Sequence, residues 1–348
     1  QWITEEKKFV PCNWIPNINS PVFLQKVQNY KIEPEAIGHL PSTNYPINIK
    51  NINNLITHNT AILGILGIGK SMLAIELVER MVAKKIKVVC VDPTNQYSQE
   101  LSNYFNTDNN ETWIKHVQSI GEQGKTNYQK NVEEGGSKKT FQTEIQTRIN
   151  QFLDEKTQCS IFIINPNRFE VWKQDSKIYE DKAAMSSLTA CEITQIITEA
   201  TLEKCMSLGM SENARVCVVF EEAHSLIPEW NSVVNEGDKS ATNGTSRSIL
   251  QGRKYGLGCL LITQRTANVT KTILNQCNSI FAMRTFDDTG KDFLANYLGG
   301  EYANKLPNLQ ERHAIFFGRA SSCENPVLIR LNDRKDFKSA FFSHKAKK

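Results

Sequence analysis

Apolar residues along this chain fall into short continuous runs, with amphipathic or polar segments between them. The runs lie at 61–66, 88–91, 161–164, 216–220, 259–262 and 280–283. Continuous apolar runs of this length are typical of strands that are buried on both faces of a parallel sheet. The pattern therefore predicts a buried, mainly parallel sheet.

Helical periodicity separates several of these runs. Helices are predicted over 71–84, about 141–155, 187–206, 247–255 and 287–298. Strands that alternate with helices predict an α/β fold with helices on the faces of the sheet. Two further strand pairs, 37–40 with 45–49 and 313–317 with 326–330, are predicted to form hairpins.

The remaining segments lack apolar periodicity. Residues 103–140 and 231–246 are predicted to be polar insertions, the latter a loop. Residues 1–36 are interpreted as a partial N-terminal β module, 37–335 as the main domain, and 336–348 as a basic tail.

Composition narrows the class of protein without identifying it. The chain has 348 residues, 40% of them hydrophobic and 22% charged, with a net charge of +4, which is ordinary for a globular protein. Its apolar runs are far shorter than the ~20 residues of a membrane span, so no membrane partner is predicted. The nine cysteines form no CxxC pair, which favours a reducing, cytoplasmic compartment.

The clearest chemical signal is Gly64-Ile-Leu-Gly67-Ile-Gly69-Lys70-Ser71. It follows a predicted strand and opens a predicted helix, the context required of the GxxxxGK[ST] phosphate-binding loop. Glycines allow the tight turn that points backbone N–H groups at phosphates, and the helix N-terminus adds to this anion site. Lys70 is predicted to bind the β- and γ-phosphates of ATP, and Ser71 to bind Mg²⁺. The predicted nucleotide-binding residues are Gly64, Gly67, Ile68, Gly69, Lys70, Ser71 and Met72.

A second signal is the strand that ends in Phe220-Glu221-Glu222-Ala223-His224. Two carboxylates after a buried strand form the second half of a nucleotide-hydrolysis site. Glu221 is predicted to hold Mg²⁺ and Glu222 to polarise the attacking water. Adjacent residues at a strand end point in different directions, so the two carboxylates need not compete.

Two other polar residues follow predicted strands. Asp92 is predicted to lie near the phosphates, because ligands of such sheets bind at the carboxyl ends of the strands; a helix or turn cap is the alternative. Gln264 is predicted to sense the γ-phosphate or to orient water.

The ordered set of motifs resembles the HerA branch of the HerA/FtsK superfamily, which are RecA-like hexameric DNA-translocating ATPases. The resemblance rests on the segments already quoted together with Gly252-Arg253-Lys254-Tyr255-Gly256 and Leu261-Ile262-Thr263-Gln264-Arg265, and it extends from about Ile37 to about Arg330. It implies that Glu222 is the catalytic carboxylate and Gln264 the sensor, with Asp92 near the water or metal. It also implies an arginine finger from a neighbouring subunit, for which Arg247 is favoured over Arg253. Arg168, Lys173 and Lys177 are possible residues of the DNA channel that the resemblance implies, with ordinary surface charge as the alternative.

This sequence departs from the family at three places. Glu221 stands where the family usually has Asp, and Thr266 stands where it usually has Pro. Most of the family's N-terminal β-barrel is missing, so residues 1–36 would be its last strands.

By this resemblance, the chain is expected to be a ring-forming ATPase that translocates duplex DNA with a partner, in DNA processing or antiphage defence. The expected partner is a NurA-type nuclease or another effector such as a sirtuin-like protein. The alternative is a hexameric scaffold that activates an effector with little translocation. Conjugation or secretion-coupling ATPases of the same superfamily are a third possibility, but these usually carry membrane helices.

Overall fold

We analysed a computed structural model of the chain. It describes residues 36–104, 138–154, 156–179, 182–232 and 236–345, together with short pieces and single positions within 2–33 and 112–122. Most of the predicted N-terminal module and of the insertion at 103–140 lies outside the described residues, as do the side chains of 174–185.

The predicted α/β fold is confirmed. The strands are β1 Trp2–Ile3, β2 Lys8–Phe9, β3 Gly38–His39, β4 Pro46–Ile47, β5 Thr60–Leu63, β6 Lys87–Val91, β7 Ile161–Ile164, β8 Trp172–Tyr179, β9 Lys182–Ser187, β10 Ser211–Phe220, β11 Tyr255–Thr263, β12 Ser279–Ala282, β13 His313–Gly318 and β14 Val327–Leu331. A large sheet runs in the order β4-β3-β14-β13-β12-β5-β11-β10-β6-β7, with β5 near its middle. Neighbouring strands from β12 to β7 pair in parallel, whereas those from β12 to β4 pair antiparallel.

Helices cover both faces of the sheet. They are α1 Ile52–Thr57, α2 Lys70–Ala83, α3 Gln96–Glu100, α4 Lys138–Phe152, α5 Ala190–Ser207, α6 Ala223–Leu226, α7 Glu236–Gly252, α8 Lys271–Leu274, α9 Asp288–Leu298, α10 Gly300–Ala303 and α11 Arg334–Lys345. Two apolar clusters result, one on each face, and the strands contribute alternate side chains to each. Both predicted hairpins are confirmed, as β3 with β4 and β13 with β14.

The loop predicted over 231–246 is wrong, because α7 spans Glu236–Gly252. The buried side of α7 carries small residues such as Ala241, Thr245 and Ser248, and it packs against α5. Gly244 lies so close to Gln195 of α5 that an added Cβ would come within 2.3 Å of Nε2. Small polar residues allow this approach but produce no hydrophobic period, so the sequence pattern missed the helix.

The basic tail predicted from 336 is also wrong as far as Lys345, because α11 forms there and packs against α2. Phe337 is 1% exposed, and the Arg80 guanidinium lies 4.9 Å from the centre of its ring. Burying such a ring contributes about 1.5–3 kcal/mol. Arg334 also forms an ion pair with the buried Glu79 of α2.

Among the described residues, none of the helices combines the length and apolarity that crossing a membrane requires.

Candidate active site

The loop between β5 and α2 lies at the carboxyl edge of the parallel sheet. Gly67 and Gly69 have positive φ values of 79° and 100°, which explains why glycine stands at both positions. Backbone hydrogen bonds hold the loop from three strands: Gly64 N donates to Thr263 O, Ile65 N to Arg284 O, and Arg312 N to Ile68 O. The loop is therefore fixed before any ligand binds.

Lys70 begins α2 and is 6% exposed. Its Nζ donates to Ile65 O at 2.7 Å, so the ammonium lies inside the curve of the loop. Burial lowers the pKa of Lys70, while the carboxylates of Glu222 and Glu221 act in the opposite direction. A polyphosphate held in this loop would relieve that burial penalty by pairing with the charge.

Glu221 follows β10 and is 2% exposed. Ser71 Oγ lies 3.4 Å from its Oε1, and Tyr97 Oη donates to its Oε2 at 2.8 Å. The two residues predicted to hold Mg²⁺ are thus adjacent. Burial raises the pKa of Glu221 to about 7, with further contributions from Asp92 and Glu222.

The donor set at this point suits Mg²⁺. A hydroxyl and a carboxylate are hard oxygen ligands, and Mg²⁺ commonly binds one or two protein groups plus phosphates and water. Within the part of the chain that the structure describes, no three His, Cys, Asp or Glu side chains form a metal cage by themselves. Ser71 and Glu221 would hold the cation, and its charge would favour the ionised form of Glu221.

Glu222 adopts a left-handed conformation, with φ 51° and ψ 52°. This turn sends its side chain away from Glu221, and its Oε1 accepts from Gln264 Nε2 at 3.3 Å. Its Oε2 is buried without a hydrogen-bond donor among the described residues, although His224 Nδ1 lies 3.3 Å away. Strained backbone and an unsatisfied buried oxygen are features that cluster at functional sites.

Gln264 follows Thr263 at the end of β11, beside the end of β10. Thr263 Oγ1 accepts from the backbone N–H of Arg265 and lies 3.3 Å from His224 Nδ1. Burial lowers the pKa of His224, and so do Arg265 and Lys70, against the opposing effect of Glu222. A neutral imidazole beside Glu222 leaves that carboxylate free of a fixed counterion.

Asp92 has the cap geometry that the sequence analysis kept as an alternative. Its Oδ1 accepts from Thr94 N and Thr94 Oγ1, and its Oδ2 accepts from Tyr97 N. Both oxygens are therefore engaged in fixing the turn into α3. This turn places Tyr97 against Glu221, so Asp92 acts on the site through Tyr97; its direct role near water or metal stays a prediction.

Arg247 and Arg253 lie away from these groups. Arg253 precedes β11 and Gln264 follows it, so the length of the strand separates them by roughly 30 Å. Its guanidinium is 2.8 Å from His58 Nε2, at the amino end of β5. Arg247 is exposed on α7. The role of either one in a neighbouring subunit stays a prediction.

Of the three cations considered for a DNA channel, Lys173 forms an ion pair with Glu192. The Lys177 side chain lies outside the described residues.

The sequence analysis missed Tyr97 and Arg312. Tyr97 is fully buried and touches Glu221; the available signal was an aromatic residue in the otherwise polar segment after Asp92. Arg312 has a positive φ of 60° and donates its N–H to the loop at Ile68 O. The sequence around Arg312 contains no signal for this role, because the contact with Ile68 joins residues that lie far apart in the chain.

Comparison with known proteins agrees with the motif set. Residues 35–173 match the family "Helicase HerA, central domain". The DNA double-strand break repair helicase HerA of Pyrococcus furiosus is 25% identical over 126 residues, which is 35% of this chain and 21% of that protein. The HerA of Sulfurisphaera tokodaii is 20% identical over 210 residues, 58% of this chain and 40% of that protein. The chain thus spans less than half the length of these relatives.

Solved structures give more distant similarities. The genome packaging NTPase B204 of Sulfolobus turreted icosahedral virus 2, in complex with ATP-gammaS, has a TM-score of 0.46 at 12% identity, covering 78% of this chain and 96% of B204. VirB4 of Thermoanaerobacter pseudethanolicus has a TM-score of 0.46 at 10% identity, covering 88% of this chain and 98% of VirB4. Scores below 0.5 are too low to carry functional meaning. The resemblance to HerA is confirmed by the family match and the helicase relatives.

Proposed function

We propose that the chain, which resembles the HerA/FtsK-type ATPases, hydrolyses ATP with Mg²⁺ at the carboxyl edge of its sheet. The observation that carries this proposal is the meeting of the loop, the Ser71–Glu221 pair and the Glu222–Gln264 pair at one place. Three separate parts of the sequence supply these groups, and each has the chemistry that phosphoryl transfer needs.

Each residue has a separate role in hydrolysis, which follows from its position in the site. Lys70 and the loop N–H groups bind the phosphates, and Mg²⁺ would be held by Ser71 and Glu221 and would neutralise charge on the phosphates. Glu222 accepts the proton of the attacking water at Oε2, the oxygen for which the described part of the chain supplies no hydrogen-bond donor. Gln264 holds the other oxygen of Glu222 and so orients the base. The water oxygen bonds to the γ-phosphorus as the bond between that phosphorus and the bridging oxygen breaks, which yields ADP and phosphate.

We further propose that the chain acts as a head-to-tail ring, a hexamer in keeping with the resemblance. Arg253 lies at the opposite end of β11 from the site, and Arg247 lies near the end of α7 that leads to Arg253, so either one would act at a site only from another copy. Large apolar side chains are exposed near the same amino edge, which is typical of a surface that meets protein. These are Met206 at 45%, Leu208 at 43%, Met210 at 77% and Leu250 at 41%. Heterologous contacts of this kind close into rings when the rotation fits.

The substrate of the motor is proposed to be duplex DNA, gripped through its phosphate backbone so that every sequence is tolerated. A nuclease or another effector as partner, and a role in DNA processing or antiphage defence, rest on the resemblance to HerA. The competing hypothesis is a ring that binds ATP in order to assemble and activate an effector, with little movement along DNA.

The test is the ATPase rate of the full-length protein with and without duplex DNA, for wild type, Lys70→Ala and Glu222→Gln. We expect DNA to raise the wild-type rate, this stimulation to fall with salt, and both substitutions to lower turnover by about 100-fold or more. Lys84→Ala, at the other end of α2, is the matched control and should leave the rate unchanged.

A wild-type rate that ignores DNA would contradict the motor. A complex with the partner that still assembles in Glu222→Gln would favour the scaffold. If Lys70→Ala hydrolyses ATP as wild type does, the assignment of the site is wrong.

A further inference from the structure

A cavity of about 580 Å³ lies beside the phosphate-binding loop, on the side away from Glu222. It is formed by the start of β13, the end of β14 and the first turns of α11. Residues that line it include Arg312, Arg330, Asn332, Asp333, Asp336 and Phe337. Its volume lies within the range of small-molecule sites in proteins.

The direction of a bound nucleotide follows from the sheet order. Glu221 and Glu222 follow β10, which lies two strands away from β5 on one side of it in the sheet. These two carboxylates mark where the terminal phosphate lies. The chain of phosphates occupies the loop after β5, so the nucleoside must extend to the other side. There the sheet continues through β12, β13 and β14, at about 5 Å per strand. The cavity lies at that end of the same edge.

Arg312 joins the cavity to the loop. Its N–H donates to Ile68 O at 3.1 Å, and its carbonyl accepts from Leu331 N at 2.8 Å. Its guanidinium forms an ion pair with Asp333 at 2.9 Å. These bonds hold a non-glycine residue at a φ of 60°, a conformation that persists only where the surroundings impose it. The planar guanidinium is thereby fixed at the junction of the loop and the cavity.

The chemistry of the cavity suits an uncharged group better than another phosphate. Two guanidinium groups, of Arg312 and Arg330, are mixed with the carboxylates of Glu311, Asp333 and Asp336. Phe337 supplies apolar surface at the floor and is 1% exposed. Carboxylates repel phosphate but accept hydrogen bonds from hydroxyls, and a guanidinium stacks on flat aromatic rings.

We propose that this cavity binds the nucleoside end of the nucleotide, with the Arg312 guanidinium against the base and the Asp333 and Asp336 carboxylates accepting from the ribose hydroxyls. The inference rests on the proposed function, because it places the rest of the same ligand. It assigns Arg312, Asp333 and Asp336 to nucleoside recognition and leaves the phosphates to the loop.

The test compares binding of ATP, 2′-deoxy-ATP and inorganic tripolyphosphate, each with Mg²⁺, by calorimetry on the full chain. Arg312→Ala should weaken ATP binding roughly tenfold and leave tripolyphosphate unchanged. Arg312→Lys, which keeps the charge but lacks the planar fork, should lose most of the same affinity. Arg319→Ala, just beyond the other end of β13, is the matched control and should bind all three ligands as wild type does.

Asp336→Asn provides a second variant, on an exposed position where folding is not at stake. It should bind ATP about threefold or more weakly and discriminate less between ATP and 2′-deoxy-ATP. Wild-type protein that binds ATP no better than tripolyphosphate would overturn the inference, and so would equal losses for both ligands in Arg312→Ala. If the wild-type protein binds neither ATP nor tripolyphosphate, the proposed function itself is contradicted.

Discussion

The two edges of the parallel sheet differ in how far their ionisable side chains are buried. At the carboxyl edge, Asp92, Glu221 and Lys70 are 0%, 2% and 6% exposed. At the amino edge, Arg247 and Arg253 are exposed residues, although the Arg253 guanidinium also contacts His58 Nε2. Burying ionisable groups is costly unless neighbours or a ligand offset it. The carboxyl edge is therefore organised for a charged ligand, whereas the amino edge keeps its charges available to a second molecule.

This difference gives the edges complementary roles. The carboxyl edge holds the phosphate-binding loop, the Ser71–Glu221 pair that would bind Mg²⁺, and the proposed base Glu222. The amino edge holds Arg247 and Arg253, the two arginines proposed to act on a neighbouring copy. The predictions below separate the contributions of the two edges.

The largest effect is expected from Arg247→Ala at the amino edge. If Arg247 completes the site of a neighbouring copy, ATP turnover should fall about 10³-fold, the size of effect that arginine fingers have. Arg253→Ala should change turnover far less, because that guanidinium is bonded to His58. The measurement is the steady-state ATPase rate of each variant.

Mixing Arg247→Ala with Glu222→Gln subunits supplies the decisive comparison. In a mixed ring, the site of an Arg247→Ala subunit keeps Glu222 and can meet Arg247 of a neighbouring Glu222→Gln subunit. If Arg247 acts in trans, ATP hydrolysis is restored at that site. A mixture no more active than its two components would show that the edges do not meet.

A middle-sized effect is expected for the stability of Glu221→Gln. The folded pKa of Glu221 is about 7, against an ordinary 4.5. The folded state thus holds a proton that the unfolded state releases above pH 4.5, and the burial penalty grows as pH rises towards 7. Glu221→Gln removes this penalty. The difference in unfolding free energy between Glu221→Gln and wild type should therefore increase from pH 5 to pH 8 in favour of the variant, by up to about 3 kcal/mol.

Chemical denaturation of the nucleotide-free protein at several pH values measures this gain. Glu212→Gln, at the exposed amino end of the same strand, is the matched control for the loss of a carboxylate. A gain for Glu221→Gln that does not change with pH would contradict the raised pKa of Glu221.

The smallest effect is expected from Tyr97→Phe. Loss of the hydroxyl frees Glu221 Oε2 and loosens the carboxylate that faces Ser71. The Mg²⁺ concentration that half-saturates ATP hydrolysis should rise about tenfold, in the range found when partners of metal ligands are removed. Tyr255→Phe, at the amino end of β11, should leave the Mg²⁺ requirement as it is. An unchanged Mg²⁺ requirement in Tyr97→Phe would assign Tyr97 to packing alone.

The sequence predicted most of the parallel sheet, because buried strands and the loop motif leave local signals. It also predicted the loop, Ser71, Glu221, Glu222 and Gln264 at one edge, since parallel strands end together. The sequence did not predict α7, because the contact of α7 with α5 is made by small polar residues. It predicted a basic tail where α11 forms, although the buried Phe337 fixes that helix to the domain. Whether Glu222, Gln264 and the two arginines have the assigned roles stays a prediction.

The sequence alone determined that a phosphate-binding loop precedes a helix and that two carboxylates follow a buried strand, because neighbouring residues specify these features. The tertiary structure decided which groups meet. It gave Glu221 its raised pKa through burial beside Asp92 and Glu222, placed Tyr97 on that carboxylate, and set Arg312 between the loop and the cavity. These properties arise from contacts between residues far apart in the chain, where packing and burial set the energies.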